Sequence, residues 1–184
     1  MLWFDSMAAN QLHGNWRVGS DSGAGGVSIW NPNADAAKVA PALASPPNYF
    51  ELTFPAQAGK AYHVWIRMRA QGNSTGNDSV HMQFDNAVDA NGATVAAIGS
   101  SSSAEFVLQN GPSGAAPQSW GWTDNGWGSL GPDIFFKTTG TQRLRVQQRE
   151  DGAIIDQIVI SPGTYLNASP GARADDTTVL PKTQ

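Results

Sequence analysis

Tryptophan is the residue type best suited to ligand chemistry in this sequence. Three indoles lie within Ser119–Leu130, which reads SWGWTDNGWGSL. An indole held on a loop offers an apolar plate with an N–H donor at its edge, which suits stacking on a sugar ring. Trp127 lies between two glycines in a predicted loop, where burial is harder to arrange. It is therefore either a ligand platform or a structural indole folded back on the domain.

The neighbours of Trp127 extend this hypothesis. Asp124 and Asn125 lie just before the Gly126 that precedes it, and they are candidates to bind sugar hydroxyls. Trp120 and Trp122 share one parity of a short predicted strand, so both can belong to the core. As alternatives, either of them can take part in the same ligand site.

Paired carboxylates, which glycoside hydrolysis requires, are not evident. Glutamate occurs only at positions 51, 105 and 150, and no predicted strand carries two acids on one face. Nucleophile-elbow, phosphate-loop and dinucleotide motifs do not occur. The absence of cysteine excludes thiol mechanisms and cysteine-ligated zinc. The sequence therefore predicts a protein that is not an enzyme.

Asp156 interrupts the apolar run IIDQIVI at a position whose i+2 and i+4 residues are Ile158 and Ile160. A carboxylate on an apolar parity is costly to bury unless it is ion-paired or binds a cation. Oxygen ligands favour Ca²⁺ over softer metals. We predict a calcium ion at Asp156, and an ion pair with Arg67 or Arg149 is the alternative.

Two histidines, His63 and His81, fall on the outward parity of two predicted strands that could be neighbours. A shared metal is one interpretation of this pair. In the other, both histidines are half-exposed and simply cover the surface of a sheet.

Charge and hydropathy exclude several partners. Charged residues make up 14% of the 184 residues, the formal net charge is −4, and the 11 Lys and Arg are scattered. The chain therefore lacks the basic field that attracts nucleic acid or anionic lipid. No apolar run approaches the roughly 20 residues needed to span a bilayer. Low lysine content, many small polar residues and seven tryptophans favour a secreted protein.

Apolar residues recur at period two, which predicts β-strands. The clearest strands are Tyr49–Phe54, Ala61–Arg69, Ser79–Asp85, Arg143–Gln148 and Ile154–Ile160. Shorter candidates are Gly26–Trp30, Glu105–Leu108, Ser119–Trp122 and Ile134–Lys137. Many short strands separated by turns are typical of an all-β sandwich or barrel.

Two segments depart from this pattern. Ala34–Ala40 is a short predicted helix that ends at Pro41. Periodicity stops after Pro162, so residues 1–162 are predicted to form one antiparallel β-sandwich and residues 163–184 a tail or interdomain linker.

The order of motifs along the chain is informative. Asp5 in a first strand is followed by Gly14–Val18, by the Ser22–Gly26 turn, and by the strands YFELTFPAQAGKAYHVWIRMRA and NDSVHMQFD. A Trp-x-Trp segment comes next, and RLRVQQREDGAIIDQIVIS closes the domain. This order resembles the galactose-binding-like β-sandwiches, in particular carbohydrate-binding modules of families 6 and 35 and the malectin-like group. The resemblance covers about Trp3–Pro162.

The resemblance implies a jelly roll of two antiparallel sheets without catalytic activity. It also implies a structural calcium near the first and last strands, with Asp5 and Asp156 as ligands. The ligand site of the family lies at loops that join the sheets, which corresponds here to Trp120 or Trp122 and to Glu150 and Asp151.

The leading hypothesis is a non-catalytic carbohydrate-binding module that targets a larger secreted, bacterial enzyme to a neutral plant polysaccharide. Xylan or a β-glucan is the favoured ligand. The alternative is a structural or cell-surface adhesion domain without sugar affinity, because one fold serves many functions. A jelly-roll polysaccharide lyase or hydrolase would require catalytic groups that the sequence does not show.

Overall fold

The computed structural model describes residues 11–109, 117 and 119–181. Asp5, one of the two predicted calcium ligands, lies outside these residues. The described chain is all-β, with a short 3-10 turn at Gln71–Asn73. Its strands are β1 Leu12–His13, β2 Arg17–Ser20, β3 Val27–Trp30, β4 Tyr49–Ala56, β5 His63–Ala70, β6 Ser79–Phe84, β7 Ala87–Val88, β8 Ala104–Val107, β9 Gly121–Thr123, β10 Phe135–Phe136, β11 Gly140–Gln148 and β12 Ala153–Ser161.

The strands form two large antiparallel sheets. Sheet I has the order β1-β4-β11-β6-β8, and sheet II has the order β2-β3-β12-β5-β9. A small sheet pairs β10 with β7. From β3 to β6, and again from β11 to β12, successive strands alternate between the two large sheets, which is the connectivity of a sandwich and not of a meander. The predicted antiparallel β-sandwich is confirmed.

The core lies between the two sheets, and the alternation in the sequence explains it. Inward side chains of β4, β6 and β11 from sheet I contact those of β3, β5 and β12 from sheet II. They include Phe50, Phe54, Val80, Met82, Phe84, Leu144 and Val146 on one side, and Ile29, Val64, Ile66, Met68, Ile155 and Ile158 on the other. Burial of these alternate apolar side chains is the main force that holds the two sheets together.

The outer face of sheet II is also covered. Residues 163–181, the C-terminal segment, lie across it: Trp122 donates its backbone N–H to Ala172, and Asp176 donates to Trp120. The side chain of Gln157 exchanges two hydrogen bonds with the backbone of Leu180, at 3.0 and 3.1 Å. The described part of the predicted tail therefore packs on the sandwich, and the domain division at residue 162 stays a prediction.

Sheet I is covered in a similar way by residues 31–47. Val39 donates its N–H to Arg149 at 2.7 Å, and Leu43 and Gln147 exchange two hydrogen bonds. The predicted helix over Ala34–Ala40 is wrong, since this stretch has no helical structure. Its backbone groups bind the neighbouring strands and turn instead of one another.

The two histidines that the sequence placed together lie in different sheets. His63 begins β5 of sheet II, and His81 lies in β6 of sheet I. Both are buried, because the covering segments exclude solvent from the faces that the alternation predicted to be exposed. A metal shared by these two side chains is therefore ruled out by the topology.

In the described part of the chain, no helix has the length and apolar character that crossing a bilayer requires.

Candidate functional site

The loop that carries Trp127 connects β9 to β10, and its two ends are fixed by buried polar groups. We call residues 124–133 the Trp127 loop. Asp124 is fully buried, and its carboxylate accepts hydrogen bonds from the backbone N–H groups of Gly126 (3.2 Å) and Gly131 (2.7 Å). The Asn125 amide donates to the Pro132 carbonyl at 3.2 Å. Short hydrogen bonds across its base therefore give the loop a defined shape.

Two further donors reach Asp124 from outside the loop. Nε2 of His63 lies 3.0 Å from Asp124 Oδ2, and Nη2 of Arg173 lies 3.4 Å from Oδ1. Burial alone would raise the pKa of Asp124, but the His63 and backbone hydrogen bonds outweigh it and the pKa is lowered. The carboxylate is therefore ionised and serves as an anchor for the loop, while its predicted contact with sugar hydroxyls stays untested.

Apolar side chains project from the tip of the Trp127 loop. Trp127 is 61% exposed and Leu130 is 46% exposed, whereas most large apolar side chains of the described chain are buried. An exposed indole on a constrained loop loses little conformational entropy when it stacks on a ligand. Trp127 is therefore not folded back on the domain, and its part in ligand binding stays a prediction.

A cleft of about 310 Å³ opens beside the base of this loop. Asn125, Pro132 and Asp133 form one wall, and Asp89 and Glu105 contribute carboxylates from elsewhere on the rim. The Oδ1 atom of Asn125 is fully buried, so it is not accessible to a ligand in the cleft. The cleft itself offers carboxylates, which suit the hydroxyl groups of a sugar.

The other two candidate indoles do not contribute to this site. Trp120 is buried beneath the guanidinium of Arg67, 4.7 Å from its ring centre, and its Nε1 donates to Ser22. Trp122 is buried beneath the C-terminal segment and donates to Thr178. Both indoles therefore have covered faces, as the core alternative predicted, and their assignment to a ligand site stays an untested prediction.

Glu150 and Asp151, in the turn between β11 and β12, are also used inside the protein. Asp151 Oδ2 accepts the N–H groups of Ala34 and Ala36 at 2.7 and 2.9 Å. Glu150 accepts the Ser79 hydroxyl at 2.6 Å and is paired with Lys38 at 3.3 Å. These buried carboxylates hold the 31–47 segment in place, and their assignment to the ligand site stays an untested prediction.

Asp156 forms the ion pair that was the alternative to calcium. It is the extra residue of a β-bulge, where Ile155 pairs with Met68 and Gln157 pairs with Arg67. Its carboxylate contacts the Arg67 guanidinium directly and accepts the Gly25 N–H at 2.8 Å. The bulge reverses the parity of the strand, so Asp156 faces away from Ile158 and Ile160.

The described residues around Asp156 do not fit a calcium site. The Arg67 cation already supplies the positive charge, and no group of three His, Cys, Asp or Glu side chains in the described ranges could hold a metal ion. With Asp5 outside those ranges, calcium binding stays an untested prediction.

Three side chains of the site were not singled out for this role from the sequence. His63, Asp133 and Arg173 meet at the base of the Trp127 loop although they lie far apart in the chain. Asp124 and Asp133 are the first and last residues of the glycine-rich Trp127 loop. This pair of acidic residues is the local sequence signal from which the base of the loop could have been predicted.

Comparisons with known proteins give structural neighbours only. No family model matches the chain, and no curated protein matches it. The chain is similar to the Paenibacillus sp. cycloisomaltooligosaccharide glucanotransferase complexed with cycloisomaltoheptaose, with a TM-score of 0.46, 16% identity and coverage of 87% of this chain and 18% of that one. It is also similar to the carbohydrate-binding module CBM6cm-2 of Cellvibrio mixtus lichenase 5A in complex with cellotriose, with a TM-score of 0.43, 12% identity and coverage of 87% and 98%.

This chain thus spans less than a fifth of the glucanotransferase and nearly the whole of the lichenase module. At such identities and TM-scores, its function has to be inferred from its own side chains.

Proposed function

We propose that this protein is a non-catalytic carbohydrate-binding module whose ligand stacks on Trp127 and extends into the adjacent cleft. The observation that carries the proposal is the 61% exposed indole on a loop that buried hydrogen bonds hold in place. Aromatic plates of this kind bind the apolar face of a sugar ring.

The chemistry of the cleft favours a neutral glycan. Asp89, Glu105 and Asp133 line it. Glu105 is paired with Arg149 at 3.2 Å, and Asp133 contacts the His63 ring at 2.9 Å. These carboxylates, together with a net charge of −4, disfavour binding of uronate-rich polymers. Hydroxyl groups of a neutral β-linked plant polysaccharide can donate to them, and xylan or a β-glucan is the class we favour.

We place the module in a larger secreted enzyme, which it would target to its polysaccharide. Support for this setting comes from the composition, which is poor in lysine and rich in small polar residues. The folded domain can present the Trp127 loop without the participation of another part of an enzyme, as a targeting module requires.

An adhesion domain without sugar affinity is a second candidate, and one observation favours it. Leu130 adds a second exposed apolar side chain to the tip of the Trp127 loop, which a protein partner could cover. Under this alternative Trp127 and Leu130 should contribute to the same contact.

The test is affinity electrophoresis of the purified protein in gels that contain xylan, mixed-linkage β-glucan or galactan. Trp127→Ala should abolish retardation by the polysaccharide in the gel. The melting curve should stay nearly unchanged, because replacing an exposed side chain changes the free energy of unfolding by about 0.5 kcal/mol or less. Val18→Ala, which truncates another exposed apolar side chain on β2, should leave retardation intact.

Trp122→Ala serves as the opposite control, since emptying a buried aromatic site should cost about 3–5 kcal/mol of unfolding free energy. If Trp127→Ala is retarded as strongly as the parent, the proposed platform is wrong. If no polysaccharide retards the parent protein, the adhesion alternative is favoured instead.

A further inference from the structure

His63 lies between the two acidic residues that begin and end the Trp127 loop. Its Nε2 is 3.0 Å from Asp124 Oδ2, and its Nδ1 is 2.9 Å from Asp133 Oδ1. The imidazole is completely buried, and so is Asp124, while the side chain of Asp133 is 30% exposed. One ring therefore connects both ends of the loop that presents Trp127.

The two contacts of the His63 ring indicate how many protons it carries. A neutral imidazole has one N–H and one lone pair, so it can donate to only one carboxylate. Both contacts are hydrogen bonds at once if the ring carries two protons. Asp124 also accepts two backbone N–H groups and faces Arg173, an environment that keeps it ionised. The arrangement therefore fits an imidazolium between two carboxylates.

The electrostatic surroundings agree with this assignment. Burial disfavours the charged ring, but the hydrogen bonds and negative charges of Asp124 and Asp133 outweigh it, so the pKa of His63 is raised. Arg173 from the C-terminal segment reaches the opposite oxygen of Asp124 at 3.4 Å. On β5 itself the ring packs against the uncharged indole of Trp65, at 4.8 Å between centroids.

His81 provides an internal comparison. It is equally buried, but its Nε2 faces the Val39 carbonyl and its Nδ1 faces the Ser103 hydroxyl, each at 2.9 Å. A carbonyl acceptor and a hydroxyl donor satisfy a neutral ring completely. Burial lowers the pKa of His81 accordingly. Burial alone therefore does not account for the behaviour of His63, whereas its two carboxylate partners do.

We propose that His63 is a positioning residue: as an imidazolium it ties Asp124 to Asp133, fixes the Trp127 loop, and thereby makes ligand binding at Trp127 dependent on pH. Loss of one proton leaves a nitrogen lone pair facing a carboxylate, and one end of the loop is released. The binding part of this inference rests on the proposed function, while the positioning of the loop does not.

The first measurement is an NMR titration of the full, isotopically labelled chain between pH 5 and pH 9. The ring nitrogens of His63 should report an imidazolium at neutral pH, where those of His81 report a neutral ring. The amide signals of Gly126 and Gly131, which donate to Asp124, should shift with the midpoint of His63. A neutral His63 ring at pH 6 would overturn the proposal, and so would Gly126 and Gly131 amide shifts that do not change as His63 titrates.

The second measurement uses Asp133→Asn. An amide N–H at this position can donate to Nδ1 of a neutral ring, so the second proton is no longer needed and the titration midpoint of His63 should move to lower pH. The glycine amides should follow the new midpoint. His13→Gln, which alters a histidine stacked on Tyr49 in sheet I, is the matched control and should leave both midpoints unchanged. An unchanged midpoint in Asp133→Asn would contradict the clamp.

The third measurement is the pH profile of affinity for whichever polysaccharide retards the protein. Affinity should fall above the midpoint of His63, by up to about tenfold per pH unit because one proton is coupled to binding. The profile should become flat in His63→Gln, and its midpoint should shift with that of Asp133→Asn. A Trp127-dependent affinity that stays constant from pH 5 to pH 9 would overturn the inference.

If no polysaccharide binds at any pH, the proposed function fails. The glycine amide titration then still decides whether His63 positions the loop.

Discussion

Tryptophan side chains in one short stretch have opposite environments. Trp120 lies under Arg67, Trp122 lies under the C-terminal segment, and Trp127 projects into solvent. The spacing of the three tryptophans does not predict which of them is buried, because the parity of a strand allows Trp120 and Trp122 to face either the protein or solvent. The difference matters for function, since only an uncovered indole face can stack on a ligand.

The buried pair of Arg67 and Asp156 gives a prediction at the same scale. Asp156→Asn leaves the Arg67 guanidinium buried without its counter-charge, which should lower the free energy of unfolding by about 3–5 kcal/mol. Combining it with Arg67→Met removes the stranded charge and should restore part of the loss. Guanidinium chloride unfolding of the two single variants and the double variant measures this coupling.

The same variants decide the question of calcium. Because the Arg67 cation already contacts Asp156, we expect neither added Ca²⁺ nor a chelator to change the melting temperature of the parent protein. A chelator-dependent fall in melting temperature that disappears in Asp156→Asn would instead establish a calcium site there. Metal analysis of the untreated protein would show whether a tightly held ion resists the chelator.

At the scale of elements, the shape of the Trp127 loop depends on two glycines whose backbones approach each other closely. A Cβ added to Gly131 would overlap Asn125 Oδ1 and lie 2.5 Å from the Gly126 nitrogen. A Cβ at Gly126 would meet the backbone of Ser129 and Gly131. The tight base that presents Trp127 therefore depends on the absence of side chains at both positions.

We predict that Gly131→Ala displaces the loop and weakens polysaccharide binding by about tenfold or more, a change of about 1.4 kcal/mol. The core should remain folded, because the overlap is confined to the loop. Gly163→Ala is the matched control, since an added Cβ there meets nothing within 4 Å. Affinity electrophoresis and far-ultraviolet circular dichroism of both variants test this, and equal retardation would show that the loop tolerates the methyl group.

At the scale of the whole molecule, two covering segments pack on the outer faces of the sandwich, so each large sheet is covered on both of its faces. Residues 31–47 cover sheet I, and the C-terminal segment covers sheet II. Trp65, Trp122, Val159 and Leu180 form a second apolar cluster outside the main core. This explains why polar residues with outward parity, such as His63, Arg67 and His81, are buried.

The neighbouring residues Val179 and Leu180 test the contribution of the C-terminal segment to stability. Leu180 is 7% exposed in the second cluster, and Val179 is 37% exposed. Leu180→Ala should cost about 2–3 kcal/mol of unfolding free energy, whereas Val179→Ala should cost less than about 1 kcal/mol. Equal and small effects in chemical unfolding would mean that the segment is a dispensable tail.

Buried carboxylates predict how stability depends on pH. Burial, with the nearby charge of Glu150 adding to it, raises the pKa of Asp78 from 3.8 to about 7. The folded protein thus holds this proton more tightly than the unfolded chain does. The stabilising contribution is complete below about pH 4 and is lost as pH rises through about 7. The raised pKa values of Asp156 and His63 act in the same direction, whereas the lowered pKa of His81 opposes them below its unfolded value of about 6.5.

We therefore expect the melting temperature to be higher at pH 5 than at pH 8, by about 2–4 °C for each kcal/mol lost. Asp78→Asn keeps a neutral group beside Glu150 and should flatten this slope without abolishing it, because His63 still titrates. Differential scanning calorimetry across this range measures both slopes. A melting temperature that rises steadily to pH 8 in the parent protein would contradict the assignment.

The sequence by itself determined the strands, their inward residues and the sandwich class. The period-two pattern in Tyr49–Phe54 and Ser79–Phe84 reflects a local property of the pleated backbone, so it can be read without the rest of the chain. The same holds for Trp127, whose glycine neighbours indicated a loop. Composition and charge also sufficed to disfavour nucleic acid as a partner.

Only the tertiary structure decided what covers each outward face and which distant groups meet. Asp156 faces away from the core because of a β-bulge that the neighbouring residues do not predict. On that outer face its carboxylate pairs with Arg67. His63 met Asp124 and Asp133 because separate segments converge at one end of the sandwich. Periodicity is set within a few residues. Pairing of buried polar groups depends on contacts between segments that can lie more than a hundred residues apart, so the local pattern does not predict it.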